Sequence, residues 1–246
     1  MIYQTAMTKN MKRFTAAVDD LMNRPMGTEG MGLLWGEPGE GKSTAVAHVA
    51  STYDADYIRA MGCWTVTSML GDICKALGYA GRRMCRRADM IAWIIQRVAE
   101  NPRPLFIDEA DYLFNQWSML DALRDIYDTG GCPIILVGME DIARRIQNEK
   151  RFARRVTQHI EFKGVDMDDA HCLATTVCET GVAPDLLEYL HREAAANIGR
   201  MVIGLSRIEK FGRANRLDQV TLKQWGEREL FYDQPQFGRR RSGTGR

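Results

Sequence analysis

The sequence has almost no net charge. Its 246 residues carry 33 Lys plus Arg against 32 Asp plus Glu, a formal charge of +1. The global basic surplus that marks many nucleic-acid binders is missing, so any polyanion contact has to be local. Paired cysteines are missing too. The six Cys contain no CxxC, and although His171 and Cys172 lie near Cys178, no second ligand pair follows at zinc spacing. That excludes a zinc module and leaves buried free thiols in a reducing compartment as the expectation. No apolar run approaches the ~20 residues of a membrane span. The start, MIYQTAMTKNMKRF, has no long apolar core and does not read as a signal peptide. A soluble intracellular protein with no membrane partner is therefore expected. The four histidines form no catalytic set, and no internal repeat is visible.

What is present is a chain rich enough in apolar residues, 45%, for one sizeable core and a small second lobe. Residues 9–22 place Phe14, Val18, Leu21 and Met22 at helical spacing. MGLLW follows as a short strand, then a Gly-rich loop, then a helix from Ser43. YIRA (57–60) is a second strand. Two helices follow: one is closed by Gly78, and the other has Asp89 at its N-cap. PLFIDEAD, PIILVG (133–138) and HIEF (159–162) supply three more strands. Strands alternating with helices predict an α/β domain whose largely parallel five-stranded sheet is covered on both faces. After about residue 165 the strand signal stops, and four helices are expected, with Pro184 in a first turn and Thr221 as an N-cap. The expected organisation is a nucleotide-binding α/β domain over 1–165, a helical lid over 166–232 and a basic flexible tail over 233–246. Trp64, Trp93, Trp117 and Trp225 are expected to pack rather than to stack on bases.

The chemistry concentrates in WGEPGEGKST. Gly36, Gly39, Gly41, Lys42 and Ser43 satisfy G-x-x-x-x-G-K-[ST] between a predicted strand and a predicted helix, the context that separates a phosphate loop from a chance match. The glycines let backbone N–H groups turn in around a phosphate, and the helix N-terminus adds partial positive charge. The loop as a whole (Gly36, Glu37, Pro38, Gly39, Glu40, Gly41, Lys42, Ser43 and Thr44) is the candidate nucleotide cradle. Lys42 is expected to reach the β and γ phosphates of ATP, and Ser43 to hold Mg2+. In LFIDEAD, Asp108 closes an apolar strand where a carboxylate can join the Mg2+ shell. Glu109, next to it, can polarise a water. A nucleotide switch needs only the aspartate, so the adjacent pair points to hydrolysis.

These two motifs followed by helices resemble an AAA+ ATPase. LFIDEADYL, then LDALRDIYDTGGCPIILVGMED, then RFARRVTQHIEF resemble the branch that holds phage Mu B, the TnsC transposition regulators and the ExeA-like secretion ATPases, with origin-recognition ATPases as more distant relatives. The resemblance spans about residues 10–230. It implies a P-loop core with a helical lid, and homo-oligomeric rings or filaments on double-stranded DNA. It also implies a transposase as partner and a bacterial or phage-infected cytoplasm as location. A polar sensor residue should follow the fourth strand. Here Gly138 or Met139 fills that place, and slow hydrolysis is expected. An arginine finger acting on the neighbouring subunit's nucleotide should precede the fifth strand, where Arg151, Arg154 and Arg155 all qualify, Arg154 first. A second sensor at the start of a lid helix points to Arg200.

For DNA, GRRMCRRAD is the sharpest candidate. Arg82, Arg83, Arg86 and Arg87 lie in a connector between two predicted helices, where they could contact phosphates with little sequence preference. Lys9, Lys12 and Arg13 are weaker candidates. Neither a zinc finger nor a helix-turn-helix is evident. The expected function is an ATP-dependent DNA-binding ATPase that regulates transposition. The alternatives are a protein-directed ATPase like the secretion relatives, a replication-type loader, and a nucleotide-gated interaction module with negligible turnover.

Overall fold

The computed structural model describes residue 2, residues 4–81, residue 84 and residues 86–231. Five parallel strands form one sheet: β1 (Met31–Gly36), β2 (Asp56–Arg59), β3 (Leu105–Asp108), β4 (Ile134–Gly138) and β5 (Val156–Phe162), in the order β2-β3-β4-β1-β5. The central strands are apolar throughout because both their faces are covered. Along them successive side chains go to opposite sides, as the period of two requires. Met31, Leu33, Leu105, Ile107, Ile134 and Leu136 join a core under three helices: α3 (Val66–Ala76), α4 (Arg87–Glu100) and α5 (Trp117–Gly130). Leu34, Phe106, Ile135 and Val137 join a second core under α1 (Lys9–Met22) and α2 (Lys42–Tyr53). The edge strands differ: β2 has a single buried position, Ile58, and β5 carries exposed positions between buried ones.

The remaining core helices are α6 (Glu140–Asn148) and the short α7 (Lys150–Ala153). Beyond β5, α8 (Met167–Val177), α9 (Pro184–Glu193), α10 (Ile198–Ala214) and α11 (Leu222–Trp225) surround a third apolar cluster built on Leu173, Leu187, Leu190, Leu205 and Ile208. Pro184 stands in the first turn of α9, and Thr221 caps α11 in a capping box with Gln224. Two strands of two residues each, β6 (Gly181–Val182) and β7 (Gln219–Val220), pair in parallel within this helical part. The sequence reading expected no strand here; a two-residue bridge is too short to show a period. The tail 233–246 and the connector residues Arg82 and Arg83 lie outside the described residues. No helix among the described residues is long and apolar enough to cross a membrane.

Several side chains depart from expectation. Helix α4 starts at Arg87 with Arg86 in the cap position, so Asp89 sits inside the first turn and is not the cap. There its charge still favours the helix N-terminus. Lys9, a weak DNA candidate, is an internal cross-link. Its Nζ pairs with Asp166 and with Asp168 (2.9 Å), while its backbone N–H donates to Asp169 (2.8 Å), joining the start of α1 to the start of α8. Trp64 and Trp225 are buried, but Trp117 is 56% exposed and meets Phe114 in a T-shaped pair. Cys74 and Cys132 are buried, and burial pushes their thiols up to about 11 and about 12, whereas Cys63 is exposed.

Arg155 is the largest departure. Only 5% exposed, it grips Asp128 with two nitrogens (Nε to Oδ1 2.6 Å) and donates to the carbonyl of Arg151. Its guanidinium is thus engaged within the chain, unlike the exposed Arg151 and Arg154. Arg155→Ala is predicted to destabilise the fold by about 2 kcal/mol, read as a drop of ~4–8 °C in Tm. Arg155 holds the Asp128 carboxyl below its ordinary range. The pair's contribution is therefore complete above the ordinary aspartate value and is lost as pH falls through the lowered one. The gap between wild type and variant should close in strong acid; an equal gap at every pH would contradict this account of the pair.

Candidate functional site

Strand β1 delivers the chain to the Gly-rich loop at the C-terminal edge of the sheet, and α2 leaves from it. Gly41 occupies the cap position of α2 with φ 82°, a left-handed conformation that L side chains adopt only at a cost. Lys42 Nζ donates to the carbonyls of Gly36 (2.7 Å) and Glu37 (2.8 Å), so the ammonium lies within the turn of the loop. Burial pulls it below its ordinary pKa, while Asp108 and Glu40 pull the other way. The neighbouring Ser43 Oγ lies 3.1 Å from Asp108 Oδ2. The serine of one motif and the aspartate of the other, 65 positions apart, thus converge on one point.

Asp108 is buried, and its carboxylate is fully engaged. Oδ1 accepts the Glu109 N–H (2.9 Å), and Oδ2 accepts from Ser43 and from the Tyr57 hydroxyl (3.0 Å). Burial and Asp108 push Tyr57 up to about 12, which keeps it a donor at physiological pH. Glu109 stands in the left-handed region, φ 54°, immediately after β3. Its carboxylate pairs with Arg59 at the end of β2 (3.0 Å). At the end of β4, Asp111 accepts the Met139 N–H (2.8 Å), and a Cβ at Gly138 would come within 2.4 Å of the same carboxylate. Gly138 is thus required by close approach, and an acid occupies the region where a polar sensor was sought. Sequence reading passed over Tyr57, Arg59 and Asp111. Only Asp111 left a signal, as the last acid of IDEAD.

A cleft of about 1140 Å3 opens over this group. Its lining includes the polar Lys42, Ser43, Asp108 and Glu109 and, from the helical part, the apolar Leu173 and Val202. The donor chemistry fits a magnesium–nucleotide. Backbone amides and an ammonium suit phosphates, a hydroxyl and a carboxylate are hard oxygen ligands suited to Mg2+, and an apolar wall suits a base.

The other expected residues scatter. Arg151 and Arg154 are exposed on α7 and just after it. Arg200 is exposed and absent from the cleft wall. Its guanidinium donates to the Glu193 carbonyl (3.1 Å) and lies 4.3 Å from the Phe231 ring centroid. The first turn of α10 does reach the cleft, but through Ile198 and Gly199. Arg86 and Arg87 are exposed, with Arg87 Nε donating to Thr67 (2.9 Å).

Tyr57→Phe is predicted to raise the Mg2+ concentration for half-maximal turnover about tenfold, since a group orienting a metal ligand typically matters on that scale. Turnover at saturating Mg2+ should stay close to wild type. A Mg2+ titration that does not move would show that Tyr57 has no part in presenting Asp108.

The fold is shared with solved structures. The Cdc6p protein of Pyrobaculum aerophilum is 16% identical with a TM-score of 0.63, over 86% of this chain and 63% of that one. The Aeropyrum pernix ORC1 protein in complex with DNA is 16% identical with a TM-score of 0.59, over 86% and 61%. The ORC2 protein of the same organism, in its ADP form, is 14% identical with a TM-score of 0.60, over 90% and 67%. This chain therefore spans less than two thirds of the first two. No curated protein matches it in sequence at a significant level. A family model described as AAA domain matches residues 24–146, which is half of the chain and runs from before β1 to α6, through both phosphate-site motifs. The chain belongs to the AAA domain family.

Proposed function

We propose that this chain is an ATP hydrolase that assembles with copies of itself on double-stranded DNA. The observation that carries the reading is that Lys42, Ser43, Asp108 and Glu109 all line one cleft, with Ser43 and the Glu109 N–H both bonded to Asp108. The loop amides and Lys42 hold the β and γ phosphates. Ser43 and Asp108 hold Mg2+, which when bound offsets charge on the phosphates. Glu109 accepts a proton from a water as its oxygen bonds to the γ-phosphorus, and the bond to the ADP oxygen breaks. Arg59 holds Glu109 until then, so slow turnover by the resting protein is expected.

With Arg155 tied to Asp128, Arg154 is the first choice for an arginine that completes a neighbour's site, and Arg151 the second. Arg154→Ala should leave nucleotide affinity unchanged and slow hydrolysis on the order of 10³–10⁵-fold in the assembled state; wild-type turnover would move the role to Arg151.

The DNA reading takes support from exposed Arg86 and Arg87 and from the fold likeness to an ORC1 protein solved with DNA; the likeness to an ORC2 protein in its ADP form supports the nucleotide. A role in transposition, with a transposase as partner, rests on the sequence resemblance. A replication-type loader takes its support from the Cdc6p and ORC folds. Phosphate release with and without mixed-sequence duplex, across a salt series, tests the DNA step. Stimulation that falls steeply with salt is the expected result, and turnover indifferent to DNA at every salt would point to a protein-directed ATPase.

A further inference from the structure

The phosphate loop and the helical part are joined by a contact that neither motif requires. Asn197 caps α10, its Oδ1 accepting the Arg200 N–H (3.1 Å). That bond fixes the other end of the amide as the donor. Asn197 Nδ2 donates to the carbonyl of Pro38 (3.0 Å) and to Glu40 Oε1 (3.3 Å). Two residues further, the Gly199 N–H donates to the carbonyl of Gly39 (2.9 Å). The surfaces are cut to fit: a Cβ at Gly39 would meet Asn197 Oδ1 at 2.8 Å, and one at Gly199 would meet the Gly39 oxygen at 3.1 Å. The chain enters this turn through Ala195 and Ala196, both at positive φ (52° and 59°), a conformation alanine disfavours and keeps only where its surroundings impose it. Glu40 is 7% exposed, and its Oε2 has no hydrogen-bond partner among the described residues. Glu40 is thus a buried carboxylate inside a loop meant for phosphates, with Asn197 as its side-chain partner.

We infer that Asn197 is a positioning residue that locks the shape of the phosphate loop to the place of the helical part, with Glu40 as its counterpart in the loop. The reasoning is stereochemical. In a planar trans peptide the C=O and the following N–H point to opposite sides. Holding the Pro38 and Gly39 carbonyls toward α10 therefore turns the Gly39 and Glu40 N–H groups the other way. Two loop amides are set before a phosphate arrives, and any shift of α10 changes their aim. Preorganised donors bind more tightly because less is lost in ordering them.

The inference rests on the nucleotide-binding reading. Asn197→Ser tests it, since serine keeps the cap and loses the reach to Pro38 and Glu40. Asn197→Asp also keeps the cap but replaces the donor with a second carboxylate facing Glu40. In the full chain without nucleotide, amide hydrogen exchange at Gly199, whose N–H is held by the Gly39 carbonyl, should speed up in both variants. A fluorescent ADP should bind about tenfold more weakly, the scale of two lost hydrogen bonds. The double variant Glu40→Gln with Asn197→Asp, in which amide and carboxylate change places, should bind more tightly than Asn197→Asp alone but stay below wild type, because the contact between positions 40 and 197 returns while the Pro38 carbonyl keeps no donor. Wild-type affinity in Asn197→Ser, or exchange unchanged at Gly199, would overturn the inference. Failure of wild type itself to bind any nucleotide would instead overturn the reading beneath it.

Discussion

Glu109→Gln should bind Mg-ATP as tightly as wild type and hydrolyse it on the order of 10²–10⁴-fold more slowly, the range a positioned general base supplies. The structure gives three reasons. Glu109 lies one residue beyond Asp108, at the edge of the cleft that Lys42 and Ser43 also line. Its left-handed backbone, φ 54°, turns the chain sharply after β3. Its side chain makes no contact that shapes the phosphate loop: its ion pair is with Arg59 on the far strand. Glutamine keeps the size and can still accept from Arg59, but it cannot take a proton from water. Binding and turnover should therefore separate. A variant that still turns over ATP at the wild-type rate would remove Glu109 from the chemistry, and one that no longer binds would give it a structural part instead.

Lys42→Ala should lose nucleotide affinity itself, by about 10²–10³-fold, because two charge-assisted contacts to phosphate go with it. The folded state should suffer little. The ammonium bonds only the loop's own carbonyls, Gly36 and Glu37, and burial already disfavours its charge. Circular dichroism and thermal unfolding near wild type, with nucleotide binding lost, are the expected combination. Unchanged affinity would contradict the phosphate-loop account, and loss of fold would show that Lys42 holds the loop together.

Most of the fold could be read from the chain because its central strands are buried on both faces. LFID and IILV have no polar residue to interrupt them before the functional end, and that is what a covered parallel sheet demands. The phosphate-site motif is equally local, since its geometry lives in one loop. Pairings across long sequence distances could not be read. Nothing in the run RFARR distinguishes Arg155 from Arg154; the difference is Asp128, which lies on α5 and meets only one of them. Lys9 looked like a loose cation until α8 brought Asp166 and Asp168 to it. Tyr57 sits in an edge strand whose alternation shows an exposed side, yet its hydroxyl ends on Asp108. Arg200 has the position expected of a sensor, but its long side chain turns to Glu193 and Phe231, and the short Asn197 three residues earlier touches the loop.

The central claim is that ATP acts between copies of this chain, with DNA as template. The measurement that tests it most directly is sedimentation of Glu109→Gln with Mg-ATP, with and without mixed-sequence duplex, since this variant should hold the nucleotide without turning it over. The account predicts particles much larger than the monomer that require ATP and grow further with DNA. A sedimentation coefficient that stays at the monomer value with ATP and DNA both present would contradict it.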